Sequence, residues 1–314
     1  MAKFIIKRVA TILLVLWAVS TLTYFMVHVT PGDTVSAIII SVYGEEFVND
    51  DMKAAVAKKY DLDRPVLTQY LEWLWKAVRF DFGISYRYNM PVSKLMAARL
   101  PNTLRLGLLA FLISSVFGIP LGIISALKQN KFIDHFTRVS SLMVGSFPGF
   151  WVALILIIVF ALRLKLFPTS GMETPSSIVL PAVTLSLGMM ASTTRMMRAS
   201  MLEVLRQDYM VVAKSKGIRK AAVMVRHAFR NALPTVITVM GLQIGHILGG
   251  SVLVESIFAW PGLGELFNNA MSAKDLPMLE GCVILITFSY AFANLLVDIV
   301  YALLDPRVKY QEGK

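Results

Sequence analysis

The sequence predicts an all-α integral membrane protein with six transmembrane helices. Of its 314 residues, 56% are hydrophobic, whereas roughly 45 to 50% is usual in a soluble protein. The chain carries a net charge of +11, but its Lys and Arg residues lie in short segments between apolar stretches. This distribution is typical of membrane loops rather than of a nucleic-acid-binding module. We therefore expect a lipid bilayer, and no nucleic acid, among its partners.

Six apolar stretches are long enough, or nearly so, to cross a hydrocarbon core of about 30 Å at about 1.5 Å per residue. The fourth contains Pro181, Gly188 and several hydroxyl side chains. We expect it to be buried among other helices, which can satisfy its loosened backbone groups. The six predicted spans are residues 9–28, 103–127, 139–162, 178–196, 233–257 and 281–304.

The basic loops predict the orientation. With six spans, eighteen Lys and Arg residues and five acidic residues fall on one side of the membrane. Positive charge favours the cytoplasmic side, so both termini are predicted to be cytoplasmic. The first apolar run is longer than the roughly 7 to 15 residues of a signal-peptide core. Residues 1–30 are therefore interpreted as an uncleaved first helix, and residues 101–314 as a core of five further spans.

Residues 31–100 are predicted to form a helical segment on the external side, between the first and second spans. Asn49 can cap one helix, Pro65 can start a second, and residues 91–100 are predicted to form a third. A turn is expected at residues 81–83, Asp-Phe-Gly, because glycine and aspartate favour turns.

Residues 208–234 form a basic, partly polar interval between the fourth and fifth spans. Asp208 is expected to cap a short helix, and Gly217 to supply the left-handed residue just past its end. A second helix should follow, with a boundary at Asn231 and Pro234. A helix, a turn and a second helix would suit docking, within a loop spanning residues 199–232; an ordinary basic cytoplasmic loop is the alternative.

A second short motif, Phe258 to Gly264, lies between the fifth and sixth spans. It contains one proline and two glycines, so we expect a fixed bend rather than a continuing helix. A turn anchored at the membrane interface by Trp260 is the structural interpretation of this stretch.

No enzyme motif is present. The four histidines are scattered, Cys282 is the only cysteine, and no glycine-rich phosphate loop of the Walker type occurs. We expect no catalytic residue, no metal ligand set and no bound cofactor on this chain. If ATP drives its function, ATP and Mg must be bound by partner subunits.

Ionisable or polar side chains inside membrane spans are costly and often face a bundle interior or a water-filled path. The candidates of this kind are His246, Glu255, Asn294 and Asp298, with Arg105 near the outer end of the second span. Glu255 and Asp298 lie near predicted helix ends, so exposure at the interface is expected for both. Small residues at Gly241, Gly245, Gly249 and Gly250 predict a face that packs against another helix, of this chain or of a partner subunit.

Both motifs resemble those of a known family. The loop fits D-Y-x-x-x-A-x-x-K-G…H-x-x-R-N-A, and the turn fits E-x-I-F-x-W-P-G-L-G. These patterns are similar to those of one family, the first, B-type permease subunit of the dipeptide, oligopeptide and nickel group of ABC importers. The matching residues are Asp208, Tyr209, Ala213, Lys216, Gly217, His227, Arg230, Asn231 and Ala232 in the loop, and Glu255, Ile257, Phe258, Trp260, Pro261, Gly262, Leu263 and Gly264 in the turn.

One position departs from the wider importer class. That class often has Glu-Ala-Ala six to four residues before the loop glycine, where this chain has Val211, Val212 and Ala213. The resemblance therefore transfers no role for that glutamate.

The resemblance implies a non-catalytic, multi-pass permease subunit in the inner or plasma membrane of a prokaryote. Its implied partners are a second homologous permease, two cytoplasmic ATPase subunits and an external substrate-binding protein. The loop would be the ATPase-coupling element, and the turn would be external. The implied cargo is nickel, free or chelated, or short peptides. An ion-coupled secondary transporter is the alternative, and one midplane histidine without a clear repeat gives it little support.

Overall fold

The computed structural model describes residues 2–29, 33–216 and 219–304. Within these ranges the regular structure is helical, apart from one isolated β-bridge between Ile84 and Pro91. The predicted all-helical class is thus confirmed. The chain forms two compact units, one comprising residues up to Thr103 with Pro261–Ser289, and the other comprising Leu104–Trp260 with residues from Tyr290 onward.

The described residues contain thirteen α-helices, with short 3₁₀ and π segments at some of their ends. The helices are α1 Ala2–Val29, α2 Thr34–Val42, α3 Asp50–Lys59, α4 Val66–Ala77, α5 Val92–Leu127, α6 Phe132–Ser146, α7 Gly149–Leu156, α8 Val179–Leu205, α9 Asp208–Ser215, α10 Lys220–Val223, α11 Arg230–Ile257, α12 Leu263–Ser272 and α13 Leu276–Leu304. The 3₁₀ segments are Glu45–Phe47 and Pro175–Ile178, and the π segments are Ile157–Arg163 and Met224–Phe229.

Several helices have the length and composition of membrane spans. Four stretches of the described chain qualify, Arg8–Met26, Val92–Leu127, Pro175–Leu205 and Leu276–Val297, and a bent helix pair would make a fifth. Helix α11, with 28 residues, covers the fifth predicted span. The predicted number of six crossings stays a prediction. Half of the Pro175–Leu205 window is buried, more than in the other three, which confirms the expected burial of the fourth span.

The third predicted span is not one straight helix. Helix α6 ends before Phe147, and the pair formed by α6 and α7 is bent by 103°. Phe147 adopts an extended conformation, with φ −78° and ψ 136°, because the ring of Pro148 disfavours a helical residue before it. The prediction of a continuous helix over residues 139–162 was therefore wrong at this proline.

The predicted boundary before Pro101 is also absent, because residues 91–100 and the second span belong to the single helix α5. Contacts on both sides of the proline hold the helix in place. Arg99 lies 3.0 Å from the carboxylate of Glu265, and the side-chain amide of Asn102 donates to the carbonyl of Pro261 over 2.8 Å. We infer that these contacts offset the hydrogen bond that proline cannot donate.

Local signals in the segment that is predicted to be external were predicted correctly. The side chain of Asn49 accepts a hydrogen bond of 2.8 Å from the backbone N–H of Met52 and caps α3. Pro65 precedes α4. In the predicted turn, Asp81 accepts from the N–H of Gly83, whose φ of +78° favours glycine.

A buried carboxylate, Asp275, organises the first unit just before α13. It accepts hydrogen bonds from the hydroxyl of Ser85 and from the backbone N–H groups of Tyr86, at 3.1 Å, and Arg87, at 3.2 Å. The N–H of Met278, in the first turn of α13, lies 3.4 Å from the same carboxylate. A single side chain thus ties the loop after α4 to the start of α13.

In the second unit, the small residues of α11 face the second half of α13. A Cβ atom on Gly241 would lie 2.6 Å from Cγ2 of Val297, and one on Gly245 would lie 3.1 Å from Oδ1 of Asn294. The predicted close helix packing is confirmed for these two glycines, and the neighbour is a helix of the same chain. Gly249 has no atom within 4 Å of such a Cβ position.

We expect Asp275→Ala to destabilise the protein, because it leaves the donors of Ser85, Tyr86 and Arg87 without their acceptor. Each buried donor that loses its partner costs about 1 to 3 kcal/mol of stability. The temperature of thermal unfolding in detergent, followed by fluorescence, should fall. Asp63→Ala, at an exposed position, is the matched control. Equal unfolding temperatures for the two variants would contradict the assigned role of Asp275.

We expect Gly241→Ala to lower the unfolding temperature and Gly249→Ala to preserve or raise it. Alanine raises helix propensity by about 1 kcal/mol at either position, but only the methyl group at residue 241 would overlap Val297, at a cost of about 1 to 3 kcal/mol. The same thermal measurement compares the two variants. Similar responses at both positions would refute the packing of α11 on α13.

Candidate functional site

The short helix α9 is anchored to the second unit by one face. Met210 and Ala213, three residues apart and therefore on the same side of the helix, are both buried. They join one apolar cluster with buried residues of the neighbouring helices, namely Ala126, Met197, Met201, Val223, Ala228, Ala232 and Val236. Met197, which is fully buried, is thus a packing residue.

The other face of α9 is exposed and partly apolar. The side chains of Val211 and Val212 are 60% and 53% exposed, and Tyr209 is 42% exposed. Asp208 and Lys216 are also exposed. These side chains lie together on a helix whose opposite face is fixed, so they form a surface that can bind another molecule.

Tyr209 and Asn231 line a common cavity of about 490 Å³, with Glu203 and Gln207 on its wall. The side-chain amide of Asn231 donates a 2.7 Å hydrogen bond to the carbonyl of His227. The structure therefore brings together residues from both ends of the predicted loop. His227 is half-buried and Arg230 is exposed. Gly217 lies outside the described residues, so its predicted left-handed conformation stays a prediction.

Two predicted boundaries in this loop need correction. Asp208 is the first residue of α9 rather than the residue that caps it. The helix that begins at Lys220 also continues through Asn231 and Pro234 into α11, without the predicted break. Pro234 is the fifth residue of α11, and α11 itself begins directly after a π segment in which the regular hydrogen-bond pattern has already changed. We infer that the proline is tolerated for this reason.

A buried ion pair beside α9 was missed from the sequence. Asp134 of α6 is fully buried and binds Arg198 of α8 through two contacts, of 2.6 Å to Nε and 2.8 Å to Nη2. Asp134 also accepts from the hydroxyl of Ser125 and from the backbone N–H of Asn130. The carboxylate of Asp134 therefore joins the end of α5, the following loop, α6 and α8. Its partner Arg198 lies ten residues before the start of α9.

The sequence held one signal for this pair. Arg198 and Arg195 lie in the second half of a largely apolar helix, where an ionisable residue usually has a partner. Arg195 finds one in the carbonyl of Ser141, 3.0 Å away. The sequence did not show which acid pairs with Arg198, because Asp134 resembles any other acidic residue of the loops that are predicted to be cytoplasmic.

The structure describes the side chains of two of the four predicted path residues, Glu255 and Asn294. Glu255 is fully buried, so the expectation that it is exposed at an interface was wrong. Asn294 is half-buried opposite Gly245. The side chains of His246 and Asp298 lie outside the described residues, and their place on a path stays a prediction.

The predicted bend is present, since α11 ends at Ile257 and α12 begins at Leu263, with Pro261 and Gly262 between them and Gly264 in the first turn of α12. Trp260, however, is only 3% exposed and packs with Leu106 and Ala182 in an apolar cluster. The expected interfacial anchor is instead a core residue, because α5 and α8 cover its ring.

A helical chain with several membrane-length apolar helices and a short anchored helix between two of them defines a polytopic membrane protein. Residues 118–310 match the family described as binding-protein-dependent transport system inner membrane component, and residues 1–107 match the N-terminal family of the same components. The chain belongs to this family, and the resemblance to the dipeptide and oligopeptide permeases of ABC importers is confirmed.

Individual relatives extend over the whole chain. The oligopeptide transport system permease protein AppB of Bacillus subtilis is 37% identical over 321 residues, covering 99% of this chain and 100% of AppB. The dipeptide transport system permease protein DppB of Escherichia coli is 33% identical over 344 residues, with 99% and 100% covered. The inward-facing MetNI methionine ABC transporter shares the fold, with a TM-score of 0.51, 17% identity, and 66% of this chain and 96% of that chain covered.

We expect Asp134→Asn to destabilise the protein by roughly 3 to 5 kcal/mol, because Arg198 would keep a largely buried positive charge without its counter-charge. Arg198→Lys should also destabilise the protein, because a lysine cannot form the bidentate contact that Arg198 makes with Asp134. Both variants are compared with wild type by thermal unfolding in detergent.

Glu203→Gln, at an exposed position of α8, removes one acidic charge nearby and should leave stability unchanged. An Asp134→Asn protein as stable as Glu203→Gln would show that the ion pair does not hold these helices together.

Proposed function

We propose that this chain is a membrane-spanning permease subunit of an ATP-driven ABC importer for short peptides. Its membership of the inner-membrane component family supports the transport role. The names of AppB and DppB, both peptide permeases, favour peptides over nickel, free or chelated, as the cargo. No observation favours an ion-coupled secondary transporter.

The proposed assembly contains a second homologous permease, two cytoplasmic ATPase subunits that bind ATP and Mg, and an external binding protein. Helix α9 is the proposed contact with an ATPase subunit. The single observation that supports this role is its two-sided structure, with Met210 and Ala213 buried and Val211 and Val212 exposed. A helix fixed on one face and apolar on the other suits permanent docking more than contact with water.

The exposed valines also explain how docking can proceed without the glutamate of the wider importer class. Glu-Ala-Ala would present a charge at the position of Val211, and this chain presents an apolar surface instead. We infer that contact through α9 depends on burial of Val211 and Val212 and on the polar groups of Tyr209 and Asn231 beside them. Such a contact would depend little on salt concentration, because apolar burial is not screened by ions.

Movement of α9 would be transmitted to the membrane helices through packing. Its buried face contacts the cluster that contains Met197 and Met201 of α8, and Arg198 of the same helix is held by Asp134. A displacement of α9 by the ATPase would therefore act on α8, and through the ion pair on α6. Coupling of this kind needs a rigid element with discrete positions, and the anchored α9 fits that requirement.

The transport role is tested by co-expression with its proposed partners and reconstitution into vesicles. Addition of a short peptide with its binding protein should stimulate ATP hydrolysis and drive uptake of labelled peptide. ATP-dependent uptake of Ni²⁺, with no uptake of peptide, would reject the proposed cargo. Uptake by this chain alone without ATP would reject the importer itself.

We expect Val212→Asp to release the ATPase subunits while leaving the fold of the chain intact. The new charge would lie in the apolar contact, whereas in the free chain it is solvated on an exposed face. Co-purification of the ATPase should fall about tenfold or more, since burying an unpaired charge costs well over 1.4 kcal/mol.

Val78→Asp provides the matched control, because it makes the same change at a residue that is 70% exposed in the predicted external segment. It should retain the ATPase subunits. Normal ATPase recovery with Val212→Asp would place the docking surface elsewhere.

A further inference from the structure

The first unit contains a partly open cavity of about 140 Å³ between the end of α1, helix α4, the following loop and the start of α13. Aromatic rings form much of its wall. The aromatic lining residues are Tyr24, Tyr60, Trp73, Phe82 and Tyr86, and Glu280 also lines the cavity. All of them belong to the same compact unit.

Two polar atoms beside this cavity lack partners. Oε1 of Glu280 and Nε1 of Trp73 are both buried, and neither forms a hydrogen bond within the described residues. Glu280 is only 2% exposed. A buried polar atom without a partner is costly, so its presence in a folded protein needs a reason. A bound ligand that pairs with both atoms is such a reason.

The neighbouring acids are already engaged, which distinguishes Glu280 from them. Arg64 lies 2.7 Å from the carboxylate of Asp61 and 3.1 Å from that of Glu72. Asp81 accepts from the backbone N–H of Gly83. Four acids and one lysine, Lys76, line the cavity. Burial raises the pKa of Tyr86 above its ordinary value and the charge of Glu280 adds to that shift, so this phenol stays neutral.

The two unpaired atoms define complementary chemistry. A carboxylate oxygen accepts hydrogen bonds and attracts a cation, and an indole N–H can only donate. Aromatic rings around the cavity also attract an ammonium group through their faces. A ligand that presents an ammonium group close to an acceptor oxygen would satisfy both atoms. The amino-terminal residue of a peptide has this arrangement, because its carbonyl carbon is bonded directly to the carbon that bears the ammonium nitrogen.

We propose that this cavity binds the amino-terminal residue of a short peptide, with the ammonium group at Glu280 and the first carbonyl oxygen at Nε1 of Trp73. This inference deepens the proposed function and rests on it for the identity of the peptide. The ends of α1 and α4 lie on the predicted external side, where a binding protein would release its cargo. The cavity would therefore be a first contact of the substrate with the permease.

The test is calorimetric titration of the purified full chain in detergent with dialanine, N-acetyl-dialanine and ethylammonium. Dialanine should bind, the acetylated peptide should not, and ethylammonium should bind more weakly because it lacks the carbonyl oxygen. Glu280→Gln should weaken dialanine binding about tenfold or more, in line with the loss of a hydrogen bond to a charged group. Glu45→Gln, at an exposed position away from the cavity, should bind as wild type does.

Trp73→Phe keeps an aromatic ring and removes the N–H donor. This variant tests the proposed binding site if Glu280→Gln does not fold. It should weaken dialanine binding and leave ethylammonium binding unchanged. Equal binding of the acetylated peptide, undiminished binding by both variants, or no binding of dialanine to the wild type would overturn the proposal.

The two proposals fail in different ways. If the full importer takes up peptide but dialanine does not bind at this cavity, the proposed site alone is overturned. Dialanine binding without peptide uptake would overturn the proposed function alone.

Discussion

The ion pair between Asp134 and Arg198 is the constraint on which the second unit depends. An isolated carboxylate in a protein interior is prohibitively costly, so Asp134 can be fully buried only with its guanidinium partner and two further donors. This requirement fixes the end of α5, the loop after it, and α6 against α8 at one point. Helix α9 leaves α8 a few residues later, so its position depends on a helix whose place is already determined.

Packing completes what the ion pair begins. Met197 and Met201 lie on α8 around Arg198 and form one apolar cluster with Met210 of α9. Methionine adapts to irregular neighbours, which suits a cluster built from residues of several helices. The same cluster includes Ala228 and Ala232, so the helix that returns to the membrane is held by the same contacts. The short helix is thus a fixed part of this unit rather than a loose loop.

Local chemistry in this chain could be read from the sequence, and long-range pairing could not. The cap at Asn49, the Asp81–Gly83 turn and the start of α4 after Pro65 depend on residues a few positions apart. The buried pair Asp134–Arg198 joins residues 64 positions apart, and several acids were equally plausible partners. Trp260 and Glu255 were expected at an interface because composition places such residues there on average, whereas neighbouring helices bury both. The chain bends at Pro148, between α6 and α7, whereas Pro234 lies inside the continuous helix α11. Both residues are prolines, so the difference comes from their surroundings.

Three buried acids of this chain, Asp134, Asp275 and Glu280, divide into two kinds, and the division bears on function. Asp134 and Asp275 each collect several donors and act as structural joints. Glu280 is equally buried and lines a cavity, yet its Oε1 forms no hydrogen bond within the described residues. A fold that satisfies two carboxylates so thoroughly has no structural need for a third that it leaves unsatisfied. The contrast assigns Glu280 to a task outside the folding of the chain, and the aromatic walls around it define a cation as the group that it meets.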